Sequence, residues 1–540
     1  MLLPQSHHRR QLEPSRPDWG QIAASAMFLM GCVGLIGVPL TAVGWGLATT
    51  EFVPIRTEES KSLLLLLLRS IVSAGGVAVL ALVLALGPAW YVRSKGWRAV
   101  PWLMVPMVAP SYLAYSGWQL LRSPGTWLGD WLENQTASGE MIALVIGRVF
   151  AFGGLALWSW PLAMLLLVPA FRAIPNSTLQ ALDMDGVSRW RKAVEVSRMA
   201  RRGLLAAWVA VTLVMLGSAV PFHLAQVPTF AIDVWTTLVE RPGDLGVWLR
   251  AWPVVAIALG TALALARWTR TEHANGTEAF DVSHVQKATW SGLFTSLIWV
   301  LSVVAPLALF AGHLHSWSSI PSLLRTSSQA IAQTGVVAIF AGAGVALCMV
   351  LAWSMASAWQ HGREGLATSL ALLVFGLVLP GILVGSAVLR GIETLVGWIP
   401  ALEVVRDGVG GLVWGHLARF GGIGALAGVA LAIAEGREAR ELRALDGCGW
   451  WRGVWEGLMR PWGGVVLAAG VAGGLMSAFE IEATILLMPP GPGSLSHTIL
   501  GFLHFAKDEQ LCAAGVAIVG GGVVVAGLGA GVARLSLRNR

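Results

Sequence analysis

Long apolar runs alternate with short polar connections along the whole chain. Runs of about 20 residues, the length a helix needs to cross a bilayer, can be laid at roughly 22–48, 65–92, 99–121, 141–170, 204–226, 247–266, 291–312, 329–357, 366–388, 411–434, 463–487 and 511–533. This pattern predicts an all-α polytopic membrane protein of about twelve transmembrane helices, six in each half. A polar linker from Trp268 to Thr289, rich in Thr, Glu and His, separates the halves. The expected parts are a cytoplasmic N-terminal tail at 1–20, a first repeat at 21–275 and a second at 276–540. An even number of spans per half starts both halves from the same side, so the repeats are expected to be parallel.

Two polar, basic islands interrupt the apolar pattern. The first, Phe171 to Gly203, reads FRAIPNSTLQALDMDGVSRWRKAVEVSRMARRG, and the second, Glu435 to Pro461, reads EGREARELRALDGCGWWRGVWEGLMRP. They share Asp-Gly, three residues, then Trp-Arg: Asp185, Gly186, Trp190 and Arg191 against Asp446, Gly447, Trp451 and Arg452, at an offset of 261. Helix-forming residues flank a single Gly, whose freedom at positive φ lets the chain turn sharply, so each island is expected to be helix, break, helix. Such a segment is too polar for lipid and too short to fold alone. It is expected on the membrane surface, presenting a helical knob to a soluble partner; the alternative is an ordinary basic loop.

Further echoes link the halves. Pro110 in VAPSY answers Pro380 in VLPGI, and Arg148 in GRVFAFGG answers Arg419 in ARFGG, at offsets of 270 and 271. Pro101, Pro106, Pro110, Pro161 and Pro380 lie in apolar runs, where a lost helical hydrogen bond is tolerated beside neighbouring helices or a watery path. An arginine within a span should face the bundle interior or a cavity. Arg148 and Arg419 are therefore expected either as a quasi-symmetric pair on a translocation path or as members of a structural salt bridge with Glu480 or Glu482.

Composition narrows the class. Of 540 residues, 55% are hydrophobic and 12% charged, and the mean hydropathy is +0.68, which excludes a soluble globular or disordered chain. With the N-terminus placed inside, 25 of the 37 Lys and Arg fall in inner segments, nine in outer ones and three within spans. By the positive-inside rule both islands and both termini face the cytoplasm. This bias accounts for the net charge of +7, with no need for nucleic acid. The cysteines, Cys32, Cys348, Cys448 and Cys512, form no CxxC and are expected to be packing residues.

The islands resemble the EAA loop of ABC importer permeases, in which Glu-Ala-Ala, three residues, then Gly build the coupling helices that dock into ATP-hydrolysing subunits. Gln180, Ala181 and Leu182 stand at the Glu-Ala-Ala positions of the first copy. In the second, Glu441 keeps the acid while Leu442 and Arg443 replace the alanines. The stretch from Ser477 to Ile499, SAFEIEATILLMPPGPGSLSHTI, is similar to one in the second half of fused iron(III)-type permeases: Glu480, Ala483, Thr484, Pro489 and Gly491 match, whereas Glu482 and Met488 replace the family's Pro and Arg. The stretch from Ser218 to Trp235 resembles the matching first-half segment. The resemblance implies a multi-pass protein of the bacterial inner membrane, two ATP-binding cassette subunits on the islands, and an extracytoplasmic solute-binding protein delivering a small solute. Iron(III) is the first choice, and thiamine or polyamines remain open.

The chain contains no Gly-Lys-Ser/Thr phosphate loop and no HExxH helix, so any ATP is expected to be bound by partner subunits, with no catalytic residue and no metal ligand in this chain. His313 and His315 with Trp317, and the 27 Trp in general, are expected in interfacial belts. Two rivals stand beside the importer: a twelve-helix secondary carrier driven by an ion gradient, and a membrane scaffold without transport.

Overall fold

The computed structural model describes residues 19–50, 57–96, 99–135, 139–275, 289–357, 363–435, 437–491, 493–505 and 507–538. The N-terminal tail through position 18, with its three arginines, and positions 276–288 of the linker lie outside the described residues.

Every regular element among the described residues is helical. In the first half these are α1 (Trp19–Thr49), α2 (Thr57–Lys95), α3 (Ser111–Gln119), α4 (Gly139–Arg172), α5 (Asn176–Met184), α6 (Arg189–Met199), α7 (Arg201–Leu216) and α8 (Trp252–Asn275). The second half adds α9 (Trp290–Gly312), α10 (Ser328–Ser357), α11 (Arg363–Val378), α12 (Gly381–Trp398), α13 (Val409–Ala434), α14 (Arg437–Leu445), α15 (Trp450–Ala478), α16 (Leu495–His504) and α17 (Asp508–Arg538). Nine helices are long and apolar enough to cross a membrane among the described residues, ten if α6 and α7 count as one span bent by 74°. The chain is a polytopic helical membrane protein.

Five of the predicted runs are not single helices: at 463–487 α15 stops at Ala478 and a short helix, Thr484–Leu487, follows with no proline between them, whereas proline chemistry accounts for the other four breaks. The run at 99–121 divides into Val100–Leu103, a 3-10 turn at Val105–Met107 and α3, with Pro101 and Pro106 in the first positions of the two short pieces and Pro110 capping the third. Near 204–226, α7 stops at Leu216 and a short helix with Pro221 in its first turn follows. The run at 247–266 splits into Gly246–Arg250 and α8, which opens Trp252-Pro253. At 366–388, α11 ends at Val378, and Pro380, extended at ψ 136°, caps α12. Proline has no N–H to give and forces the residue before it out of the helical region, so a helix starts at it more easily than it runs through it. Pro161, by contrast, sits inside the unbroken α4.

The helices meet through small residues. α10 packs along α13 and α15, and a Cβ added at Gly428 would meet the Met349 carbonyl and lie 3.0 Å from the Trp353 nitrogen. Glycine costs a helix about 1 kcal/mol relative to alanine; here it admits backbone-to-backbone contact, the main attraction between helices once both are in lipid. The halves also exchange elements. α1 packs on α10, α11 and α12, whereas α9 packs on α2 and α8 on α11. Indole N–H groups fix several of these crossings: Trp160 donates to Ser302 Oγ at 2.9 Å, Trp299 to the Trp102 carbonyl at 2.8 Å and Trp414 to the Leu35 carbonyl at 3.0 Å. Among the described Trp residues some are exposed, such as Trp19 and Trp398, and others are these internal ties.

Candidate functional site

The two islands adopt one backbone conformation. α5 ends at Met184 with Asp185 as its C-cap, Gly186 follows at φ +62°, and the Val187 N–H donates back to the Leu182 carbonyl at 3.2 Å. α14 ends at Leu445, Gly447 follows one residue later at φ +61°, and the Cys448 N–H donates to the Arg443 carbonyl at 3.2 Å. This is the glycine C-cap that satisfies orphan carbonyls at a helix end. A capping Ser188 then starts α6, accepting from the Arg191 N–H at 3.5 Å, and Gly449 precedes α15. In the first island Lys192 ties α6 to Asp183 of α5 at 2.6 Å.

Each island exposes the same set of side chains. Met184 and Trp190 are 82% and 78% exposed, and Leu445 and Trp451 at the same offset are 67% and 70% exposed. Asp185, Arg191, Asp446 and Arg452 are exposed beside them, as are Gln180 and Ala181. Of Glu441 only the backbone, within α14, belongs to the described residues. The islands differ in how they return to the bundle. α6 meets α7 at 74°, whereas α15 runs on through a π-helical turn at Trp455–Met459.

Two arginines hold the islands at their bases, and the second of them stands where the motif has an alanine. Arg93, at the end of α2, donates to the Phe171 carbonyl at 2.5 Å, the Ile174 carbonyl at 2.8 Å and Asn176 Oδ1 at 3.0 Å, and lies 4.9 Å from the Trp90 ring centre. It thereby satisfies carbonyls left open at the end of α4 and grips the first residue of α5. Arg443, one of the replaced alanines, pairs with Glu435 at 2.5 Å and lies 5.6 Å from the Trp353 ring. The base of the second island thus uses a guanidinium from the island itself.

A buried ionic seam is the other candidate. Arg419 on α13 pairs with Glu480 and, at 3.3 Å, with Glu482 Oε2. Glu482 also accepts the Ala219 N–H on Oε1 at 2.6 Å and the Gly381 N–H on Oε2 at 3.1 Å. One carboxylate therefore joins the end of α7, in the first half, to the start of α12 in the second. Glu480 Oε1 accepts the Ala483 N–H at 3.1 Å. His416, one turn before Arg419, lies 2.6 Å from Ser477 Oγ through Nδ1 and 3.0 Å from Thr484 Oγ1 through Nε2. A Cβ at Gly381 would fall on the Arg419 guanidinium, so only glycine fits there.

The break at Pro380 delivers Gly381 to the seam. The break at Pro110 leaves the Ala109 carbonyl accepting from Trp158 Nε1 at 2.7 Å and starts α3, whose Tyr112 is buried beside Ser496 within electrostatic range of Glu480. Arg148 is not there. It is exposed on α4, so the expected Arg148–Arg419 pair does not form, and the salt-bridge alternative describes Arg419. α4 has 34 residues, which at 1.5 Å per residue is about 51 Å, roughly 20 Å longer than a hydrocarbon core. Its first turns, Arg148 included, can therefore stand clear of lipid. His416, Tyr112 and the capping role of Glu482 were missed: their one sequence signal was polarity within apolar runs.

His315 bonds Glu509 at 2.8 Å, and His504 faces the His223 ring at 5.9 Å. The four cysteines are free, Cys32 and Cys512 being buried. Comparison of the chain with protein-family models, with curated proteins and with solved structures finds no match.

Proposed function

We propose that this chain is the transmembrane permease subunit of an ATP-driven ABC importer in a bacterial inner membrane. Its two parallel six-helix repeats translocate a small solute delivered by an extracytoplasmic binding protein, and both termini face the cytoplasm. The observation that carries the reading is the pair of islands: two helix–glycine–helix turns of matching φ, each exposing an apolar side chain, an Asp, a Trp and an Arg at one offset. Met184 with Trp190, and Leu445 with Trp451, supply apolar anchors ringed by charge, the composition of a docking hot spot. Two ATP-binding cassette subunits seat there, and their closure rocks the halves across the seam at Arg419, Glu480 and Glu482. Iron(III) is the first substrate to test, on the likeness of 477–499 to iron(III)-type permeases.

Uptake into membrane vesicles distinguishes this reading from an ion-driven carrier. Vesicles loaded with ATP and supplied with the binding protein take up labelled iron(III), thiamine or a polyamine after an ionophore has collapsed the ion gradients. Uptake that needs the gradient and ignores ATP overturns the reading.

A further inference from the structure

The two islands share a turn but not a charge. From Phe171 to Gly203 the chain has seven basic residues against three acidic, whereas from Glu435 to Pro461 it has five of each. A role common to both turns therefore leaves the excess of the first unexplained. In the first island Asp183 is taken by Lys192 and Glu195 by Arg198, and Arg172 donates to the Val92 carbonyl at 3.4 Å. Arg201 and Arg202 are exposed, and neither side chain has an ion pair or hydrogen bond among the described residues. Both stand in the first turn of α7, where the helix dipole works against a cation. At the offset of 261 the second island has Trp462 and Gly463 in their places, and its Arg460 is paired with Glu456 at 3.1 Å.

The unpaired arginines lie where the islands also differ in shape. α6 meets α7 at 74°, so with the apolar α7 entering the bilayer the polar α6 lies close to the membrane plane, and the elbow between them sits among the lipid headgroups. One side of α7 is taken by the protein: it packs on α2 and α4, Trp208 donates to the Gly75 carbonyl at 3.3 Å, and a Cβ at Gly203 would collide with Ala170. The other side faces outward, with Leu205 and Val209 exposed and Met199 exposed at the end of α6. Helical spacing puts Arg202, Leu205 and Val209 on one face, with Arg201 one turn before Leu205. Two guanidinium groups at headgroup level thus stand over apolar side chains at the level of the acyl chains.

We infer that the α6–α7 elbow is a binding site for an anionic phospholipid. Arg201 and Arg202 hold the phosphate oxygens, for which the planar guanidinium fork is suited, and the acyl chains lie along Leu205 and Val209. The lipid supplies the negative charge that the first island lacks and pins α6 to the membrane surface. It thereby fixes the angle at which the first island stands off the bilayer. The second island needs no such pin, because α15 runs on through its turn into the bundle. The site stands whether or not the islands engage an ATPase.

Native mass spectrometry of the full chain, stripped of lipid in detergent and titrated with phosphatidylglycerol or phosphatidylcholine of the same acyl chains, tests the assignment. An arginine facing anionic lipid contributes about fivefold in affinity, so R201Q/R202Q should bind its first phosphatidylglycerol about 25-fold more weakly. Its phosphatidylcholine affinity should not change. R267Q/R460Q removes the same charge from two other exposed positions and should leave phosphatidylglycerol binding native. The thermal midpoint of R201Q/R202Q in lipid-free detergent should also stay native, because neither side chain ties the protein together. Equal losses in the two double variants would reduce the effect to net charge, and displacement of the lipid by inorganic phosphate would make this a free-phosphate site. Either result, an unchanged phosphatidylglycerol affinity in R201Q/R202Q, or a lowered midpoint would overturn the assignment.

Discussion

Replacing Gly186 and Gly447 by valine isolates the island turns from the rest of the protein. Both glycines lie at positive φ, +62° and +61°, and a Cβ at either would meet nothing within 4 Å. The cost is therefore conformational and local. An L-residue in this left-handed region costs about 1–2 kcal/mol, and a β-branched one more. Each valine should shift its turn by about 5- to 30-fold against the native conformation. For independent sites the effects add, so the double variant loses about 2–4 kcal/mol of island order. The membrane bundle makes no contact at these positions, so expression, insertion and the main thermal transition should stay native. Uptake and retention of the ATPase on an affinity column should fall by more than tenfold. Asparagine tolerates positive φ better than valine, so G186N/G447N should retain much of what G186V/G447V loses. Native uptake in the double valine variant refutes the reasoning, as does equal damage from asparagine and valine.

The other expectations concern packing and charge. R419L leaves Glu480 and Glu482 without their cation, a loss of about 3–5 kcal/mol, and should deplete the folded protein in detergent; adding E480Q and E482Q should recover it, and a stable R419L single variant would contradict the buried ion pair. R93A removes donors from the Phe171 and Ile174 carbonyls and should cost about 1.5–3 kcal/mol, seen as earlier proteolysis within the first island. Lysine at 93 should not restore protection, lacking the planar fork. G428A forces α10 and α13 apart, which overpacking data place at about 1–3 kcal/mol, and the thermal midpoint reads the loss.

Much of this architecture was legible in the chain because apolar runs of bilayer length and left-handed glycines leave local signals. α1, α2, α4, α10 and α13 fall where the runs predict, and Gly186 and Gly447 have the positive φ expected of their turns. The prolines marked lost helical hydrogen bonds within runs laid as single spans, and a run such as 366–388 reads the same whether one helix crosses or two meet, because hydropathy carries no direction. Tertiary partners left still less trace. Nothing near Arg148 distinguishes an exposed guanidinium from the buried Arg419, since the difference lies in Glu480 and Glu482, more than 60 residues further along. Arg93 leaves no local signal, because the carbonyls it caps belong to another helix.

The central claim is that the islands seat a soluble ATPase. Affinity purification of the tagged full chain from its own cells in mild detergent, with quantitative mass spectrometry of what copurifies, tests it most directly. The account predicts a phosphate-loop ATPase at two copies per chain, lost in G186V/G447V. A chain that emerges alone, with uptake that collapses when the ion gradient is removed, would contradict it and leave the islands as basic surface loops.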